Sequence, residues 1–250
     1  MLLKAALNGS RKPGAHPAVP WRPDDLAREG RASVAAGAAA LHFHVRGADA
    51  RETLDAAAVA ESLDALRRAC PGTPVGVSTG AWIVADPEER LALVRRWSVL
   101  PDFASLNVHE PGAFDLCRLL LERGIGVEAG LWHEAGARQW CESGLETRAL
   151  RVMIEPQETE TAAALANLER VETVLARARL SSPVVLHGLG PTTWDLIRAA
   201  AERGYGTRVG LEDTLTLPDG GTAPDNAALV RAARAIVAET ARAGRPGSPS

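Results

Sequence analysis

Ala36-Gly37-Ala38-Ala39-Ala40-Leu41-His42-Phe43-His44-Val45-Arg46 carries the chain from the end of a helical pattern straight into a strand. The Ala-rich pattern that begins at Pro23-Asp24-Asp25 stops at Gly37, a residue suited to the left-handed turn after a helix. Ala39 to Val45 is then an apolar run of strand length. Residues two apart on a strand share a face, with Cα atoms roughly 6.5–7 Å apart. Two imidazoles so placed can meet one metal ion, and histidine is the commonest metal ligand. The same pair can also make ordinary hydrogen bonds at a strand end.

The helix–strand alternation continues on both sides of this stretch. Strand patterns cover Leu2 to Leu7, Pro74 to Thr79, Phe103 to Val108, Ile125 to Trp132, Leu150 to Ile154, Pro183 to His187 and Thr207 to Leu211. Helical patterns separate them, the last running from Asp225 to about Ala243. Strict alternation with short connections implies parallel strands and right-handed crossovers. Eight such units in 250 residues match a closed (β/α)8 TIM barrel, expected over residues 1–250 with a short tail from about residue 244. An open doubly wound sheet also fits the alternation, but no G-x-G-x-x-G fingerprint follows the first strand.

Composition narrows the function. Hydrophobic content of 46% with 24% charged residues suits a globular chain with a sizeable core. The net charge of −3, with Lys and Arg scattered, argues against nucleic acid as a partner. No apolar run approaches the roughly 18–20 residues that span a bilayer, and no secretory leader pattern opens the chain. Three isolated cysteines suit a reduced interior. The expected setting is the cytoplasm.

Barrel chemistry sits at the C-terminal ends of the strands. Those ends present Asn8, His42 and His44, Ser78, Asn107, Glu128, Glu155, His187 and the cluster Arg208, Glu212 and Asp213. Five of the 6 histidines fall at or just beyond strand ends, the exception being His16. Each position also has a plainer reading: Asn8 as a turn residue, Glu128 and Glu155 as partners of interior arginines, His187 as a core histidine, Arg46 as a surface cation. In Arg208-Val209-Gly210-Leu211-Glu212-Asp213, one carboxylate can complete a His-His-carboxylate metal site. The other, oriented by Arg208, suits a general base.

These residues resemble the β-keto acid cleavage enzymes, zinc-dependent barrels typified by 3-keto-5-aminohexanoate cleavage enzyme. The matching segments are Ala5-Ala6-Leu7-Asn8-Gly9, Leu41 to Arg46, Val77-Ser78-Thr79-Gly80, Ser105-Leu106-Asn107, Arg208 to Asp213, and Asp225 to Val230. The resemblance implies that His42, His44 and Glu212 hold Zn2+, with Asp213 and Arg208 as the proton-abstracting dyad. It implies Ser78 as a contact to the keto acid. Asn8, Arg11, Asn107 and Glu128 complete the expected substrate-binding set. The implied reaction joins a β-keto acid and acetyl-CoA, giving acetoacetate and a new acyl-CoA by a retro-Claisen step. A homo-oligomer, a tetramer by resemblance, is expected.

The chain reads as a divergent and short member. Arg11 stands where the typical member has a glutamate that recognises an amino group, which predicts a neutral or acidic substrate arm. Val108-His109-Glu110 and Glu155-Pro156-Gln157 stand where small residues and a glycine-rich loop are usual, and Pro191-Thr192-Thr193-Trp194 stands where an arginine-containing segment is usual. Two other readings follow: a metal-dependent lyase or hydrolase that recruits Glu128, His133 or His109 and uses no CoA, and a non-catalytic metabolite-binding barrel.

Overall fold

A computed structural model describes residues 1–243 apart from position 13; the expected tail from about residue 244 lies outside the described residues. Eight parallel strands close a barrel in sequence order. They are β1 (Leu3–Ala6), β2 (Ala40–Phe43), β3 (Val75–Ser78), β4 (Phe103–Asn107), β5 (Gly126–Leu131), β6 (Arg151–Ile154), β7 (Val184–Leu186) and β8 (Gly206–Val209). The outer helices are α1 (Pro23–Ala36), α2 (Ala56–Ala69), α3 (Pro87–Arg95), α4 (Ala113–Glu122), α5 (Glu134–Glu142), α6 (Thr161–Arg177), α7 (Thr193–Arg203) and α8 (Asn226–Ala243). Among the described residues no helix is long and apolar enough to cross a membrane.

Local chemistry sets the helix ends. Pro23 opens α1 with Asp24 and Asp25 in its first turn, and Gly37 ends it at φ 112°. The Asp55 carboxylate accepts from Ala57 and Ala58 N–H at 3.0 Å, capping α2. Asp86 does the same for α3, accepting from Glu88 N–H at 2.8 Å.

Along β2, Leu41 and Phe43 belong to the apolar layer under the helices, while His42 lines the barrel mouth. β1 pairs with both β2 and β8, so the strand carrying Arg208 lies one strand away from the histidines.

The barrel interior is polar at its floor. Lys4 and Glu128, both fully buried, form an ion pair, and Arg151 Nε donates to the other Glu128 oxygen at 2.5 Å. The Phe103 ring lies beside both cations, 5.5 Å from Lys4 Nζ and 4.9 Å from the Arg151 guanidinium. A Cβ at Gly76 would stand 2.0 Å from that ring, so glycine makes the room. Burial pushes the Glu128 carboxyl up, but Lys4 and Arg151 outweigh it and bring it down to about 2. Stability from this carboxylate is full above its ordinary 4.5 and is lost as pH falls through about 2. Lys4→Met leaves half of a buried pair and should cost about 3 kcal/mol in urea unfolding. Lys4→Met/Glu128→Leu should recover part of that loss; a double variant no more stable than the single one would refute the pairing.

Candidate metal centre and active site

At the barrel mouth three side chains converge. His42 Nε2 lies 3.7 Å from Glu212 Oε2, and His44 Nε2 lies 3.4 Å from Glu212 Oε1. Potential ligand atoms of the three all fall within 4.8 Å of one another, the only such group of His, Cys, Asp or Glu among the described residues. The imidazole rings sit edge to face, 5.4 Å apart. Glu212 Oε2 is buried without a hydrogen-bond partner among the described residues. Two imidazoles around an unsatisfied carboxylate oxygen form a donor set suited to a divalent ion.

Backbone geometry brings the carboxylate in. Gly9 adopts φ +52°, and a Cβ there would stand 2.3 Å from Glu212 Cγ. Any larger residue would push Glu212 off the histidines. Gly210 passes so close to β1 that a Cβ would meet the Ala6 carbonyl oxygen at 1.8 Å.

Arg208 joins the two carboxylates. Its Nη2 donates to Glu212 Oε1 at 2.6 Å and to Asp213 Oδ1 at 2.7 Å. Burial raises the Glu212 carboxyl, but Arg208 and the histidines hold it well below the usual range. For Asp213 burial wins, and its affinity for a proton rises despite Arg208. One guanidinium serves two acids, and burial leaves Asp213 with the higher proton affinity of the two. Burial pulls His42 well below its ordinary value; burial also lowers His44, but Glu212 and Glu52 together raise it to about 9.

Glu52, which the sequence reading missed, supports His44 from behind. The loop after β2 folds back in an antiparallel bridge, Arg46 to Glu52, which sets the Glu52 carboxylate on His44 Nδ1. Trp82 Nε1 donates to the same Glu52 oxygen at 3.1 Å, and its indole stacks on the His44 ring at 5.9 Å. An acid six residues after Arg46, in the loop leaving the H-x-H strand, was the available signal. A carboxylate on the outer nitrogen fixes ring orientation and strengthens a ligand. Glu52→Gln should weaken the affinity for a divalent metal ion about 10–100-fold in a chelator competition; unchanged affinity would remove Glu52 from the centre.

Three side chains expected at the substrate have their polar groups engaged by the protein itself. Asn8 is fully buried: its Nδ2 donates to the Pro20 and His44 carbonyls, each at 3.0 Å, and its Oδ1 accepts from His44 N–H at 2.8 Å. It ties the end of β1 to the histidine strand. Glu128 lies in the floor, both oxygens engaged by Lys4 and Arg151. Arg11 turns its guanidinium onto the Leu211 and Glu212 carbonyls at 2.7 and 3.3 Å and does not line the mouth cavity. Arg46, entertained as a surface cation, is buried and clamps the Gly9 and Arg11 carbonyls at 2.7 and 2.6 Å. Ser78 and Asn107 do line the cavity beside His42, His44, Arg208 and Glu212.

Three further histidines lie outside the ligand group. His109 packs on Trp132 at 4.3 Å, and His133 Nδ1 accepts from Gly136 N–H at 3.1 Å, capping α5. His187, fully buried, places Nε2 3.0 Å from Glu155 Oε2 and Nδ1 3.6 Å from Asp213 Oδ1.

A family model described as beta-keto acid cleavage enzyme matches residues 1–245. The chain belongs to the β-keto acid cleavage enzyme family. A curated relative, the 3-keto-5-aminohexanoate cleavage enzyme of Fusobacterium nucleatum, is 24% identical over 259 residues, covering 97% of this chain and 93% of the relative. The enzyme of the same description from Acetoanaerobium sticklandii is 32% identical over 108 residues, which span 43% of this chain and 38% of that one. Among solved structures, apo ObcA superposes with a TM-score of 0.73 at 18% identity, over 88% of this chain. The present chain spans 61% of ObcA's length, and that likeness is one of fold.

Proposed function

We propose that this member is a zinc-dependent enzyme converting a β-keto acid and acetyl-CoA into acetoacetate and a new acyl-CoA. The observation that carries the reading is the His42, His44 and Glu212 group lining the mouth cavity, with Asp213 buried behind it and tied to Glu212 through the shared Arg208 guanidinium. His42, His44 and Glu212 would hold the ion, which when bound supplies polarisation of the keto acid's ketone and carboxylate oxygens. Asp213, whose burial favours the protonated form, takes the proton from the carbon between the two carbonyls and later returns it. Arg208 keeps that carboxylate aimed while neutralising the charge it shares with Glu212. Ser78 and Asn107 offer polar groups to the bound acid along the same wall. In net terms the acyl group of the keto acid leaves on the CoA sulfur and the acetyl group takes its place on the acetate carbon.

Purified protein incubated with zinc, acetyl-CoA and a panel of β-keto acids should form acetoacetate together with the matching acyl-CoA. Cleavage of the keto acid without consumption of acetyl-CoA would replace this reading with a CoA-independent lyase or hydrolase. Binding without turnover would leave a metabolite-binding barrel. The cytoplasm and a homo-oligomer, a tetramer by resemblance, belong to the same proposal; the cysteines Cys70, Cys117 and Cys141 are all unpaired, which suits a reducing compartment.

A further inference from the structure

Opposite the metal-ligand group, the wall of the mouth cavity is made by Asn107, Trp132, Met153 and Glu155. Glu155 follows β6 directly, its N–H donating to the Leu131 carbonyl at 3.0 Å. Arg151 and Met153 precede it at the same strand alternation, so its side chain enters the barrel mouth. It is only 7% exposed. One of its oxygens, Oε2, faces His187 Nε2 at 3.0 Å. The other, Oε1, is buried with no hydrogen-bond partner among the described residues.

Gly130 explains where that free oxygen points. A Cβ at Gly130 would stand 2.7 Å from Glu155 Oε1 and 2.6 Å from Asn107 Oδ1. The missing side chain thus leaves both oxygens facing one opening above β5. Asn107 Nδ2 is engaged by Glu110 Oε1 at 2.8 Å, which turns the amide oxygen toward Glu155. Two acceptors side by side, one a carboxylate oxygen, form a recess that no donor among the described residues fills: Trp132 Nε1 on the same wall is also buried without a partner and donates to neither. Leaving a buried carboxylate oxygen unsatisfied is destabilising. A ligand group that donates there recovers that cost, and one that cannot donate does not.

We propose that Glu155 selects the substrate's far arm: it accepts a hydrogen bond from an amine or hydroxyl carried by the β-keto acid. The inference rests on the cleavage reading above, in which the keto-acid end lies at His42, His44 and Glu212. Asn107 Oδ1 is the second acceptor, and His187 is a positioning residue that fixes the Glu155 carboxylate. The neutral or acidic arm expected from Arg11 loses its basis, because that guanidinium is bound to the Leu211 and Glu212 carbonyls and does not reach this recess. An acidic arm would meet the Glu155 carboxylate and be rejected.

The test uses the zinc-loaded enzyme with acetyl-CoA and four β-keto acids of matched length. Their arms end in methyl, hydroxyl, ammonium or carboxylate. For the wild type, kcat/KM should favour the better donor-bearing arm over methyl by about 10–100-fold, with carboxylate poorest. The hydroxyl and ammonium arms, compared with each other, identify which donor the recess takes. Glu155→Gln should narrow the donor-over-methyl ratio, and Glu155→Met should bring it to within about threefold of unity. Because the readout is a ratio within each variant, a general loss of activity does not imitate it. A wild-type ratio near one overturns the inference even if neither variant folds, and so does a ratio that survives in Glu155→Met. Absence of acyl-CoA from all four acids fails the cleavage reading instead; acyl-CoA formed without arm preference fails only the assignment of Glu155.

Discussion

His44→Ala and Glu212→Gln are each expected to emerge from purification without stoichiometric zinc and to turn over at least about a thousandfold more slowly than the wild type. Loss of several kcal/mol of charge stabilisation translates into about that factor, at 1.36 kcal/mol per decade. The two substitutions remove different kinds of ligand from one group whose donor atoms lie within 4.8 Å. Glu212→Gln also removes the negative charge opposite Arg208 Nη2, so Arg208 keeps only Asp213 as an acidic partner in this pair. Metal analysis after dialysis against a weak chelator reads the result directly. Zinc content unchanged in both variants would sink the ligand assignment.

Asp213→Asn is expected to retain zinc while losing about 10²–10⁴ in kcat, the usual worth of a positioned general base. An amide keeps the shape and can still accept from Arg208, but it cannot take a proton from carbon. The contrast with the first pair is the useful part: one class loses metal and turnover together, the other turnover alone. Solvent hydrogen exchange into the keto acid gives an independent readout, because a base mutant stops exchange even when acetyl-CoA is withheld. An Asp213→Asn enzyme with near-normal turnover would assign the proton to another group.

The order of elements was legible because a βα repeat needs only two local signals, an apolar run and a helix stop, and both recur along this chain. Boundaries shifted where side chains capture backbone groups. The second strand was expected to reach Val45, yet its ladder ends at Phe43 because His44 N–H is taken by Asn8 Oδ1. The eighth was expected to reach Leu211 and ends at Val209, since Leu211 N–H goes to Asn226 Oδ1. Before α7 a short 3-10 turn, Gly190–Thr192, precedes the helix from Thr193.

The site was half legible for a related reason. Spacing and strand position bring His42, His44, Glu212, Arg208 and Asp213 into one mouth. Position alone does not say which polar atoms are already bound, and so Asn8, Arg11 and Glu128 were expected at the substrate. Their partners, Pro20, Leu211 and Lys4, are 12, 200 and 124 residues away. Glu52 escaped notice because its role depends on a loop folding back over the strand that precedes it.

The position of β1 between β2 and β8 has a consequence for how the protein matures. Two ligands emerge early in synthesis and the third near the end, so no subset of the growing chain contains the site. Ring closure, the pairing of β8 with β1, is the strand pairing most distant in sequence and belongs among the slow events of folding. A histidine pair alone is a poor chelate, so on the proposed assignment zinc capture is expected to follow closure. In a refolding experiment metal uptake would then time the last seam of the barrel.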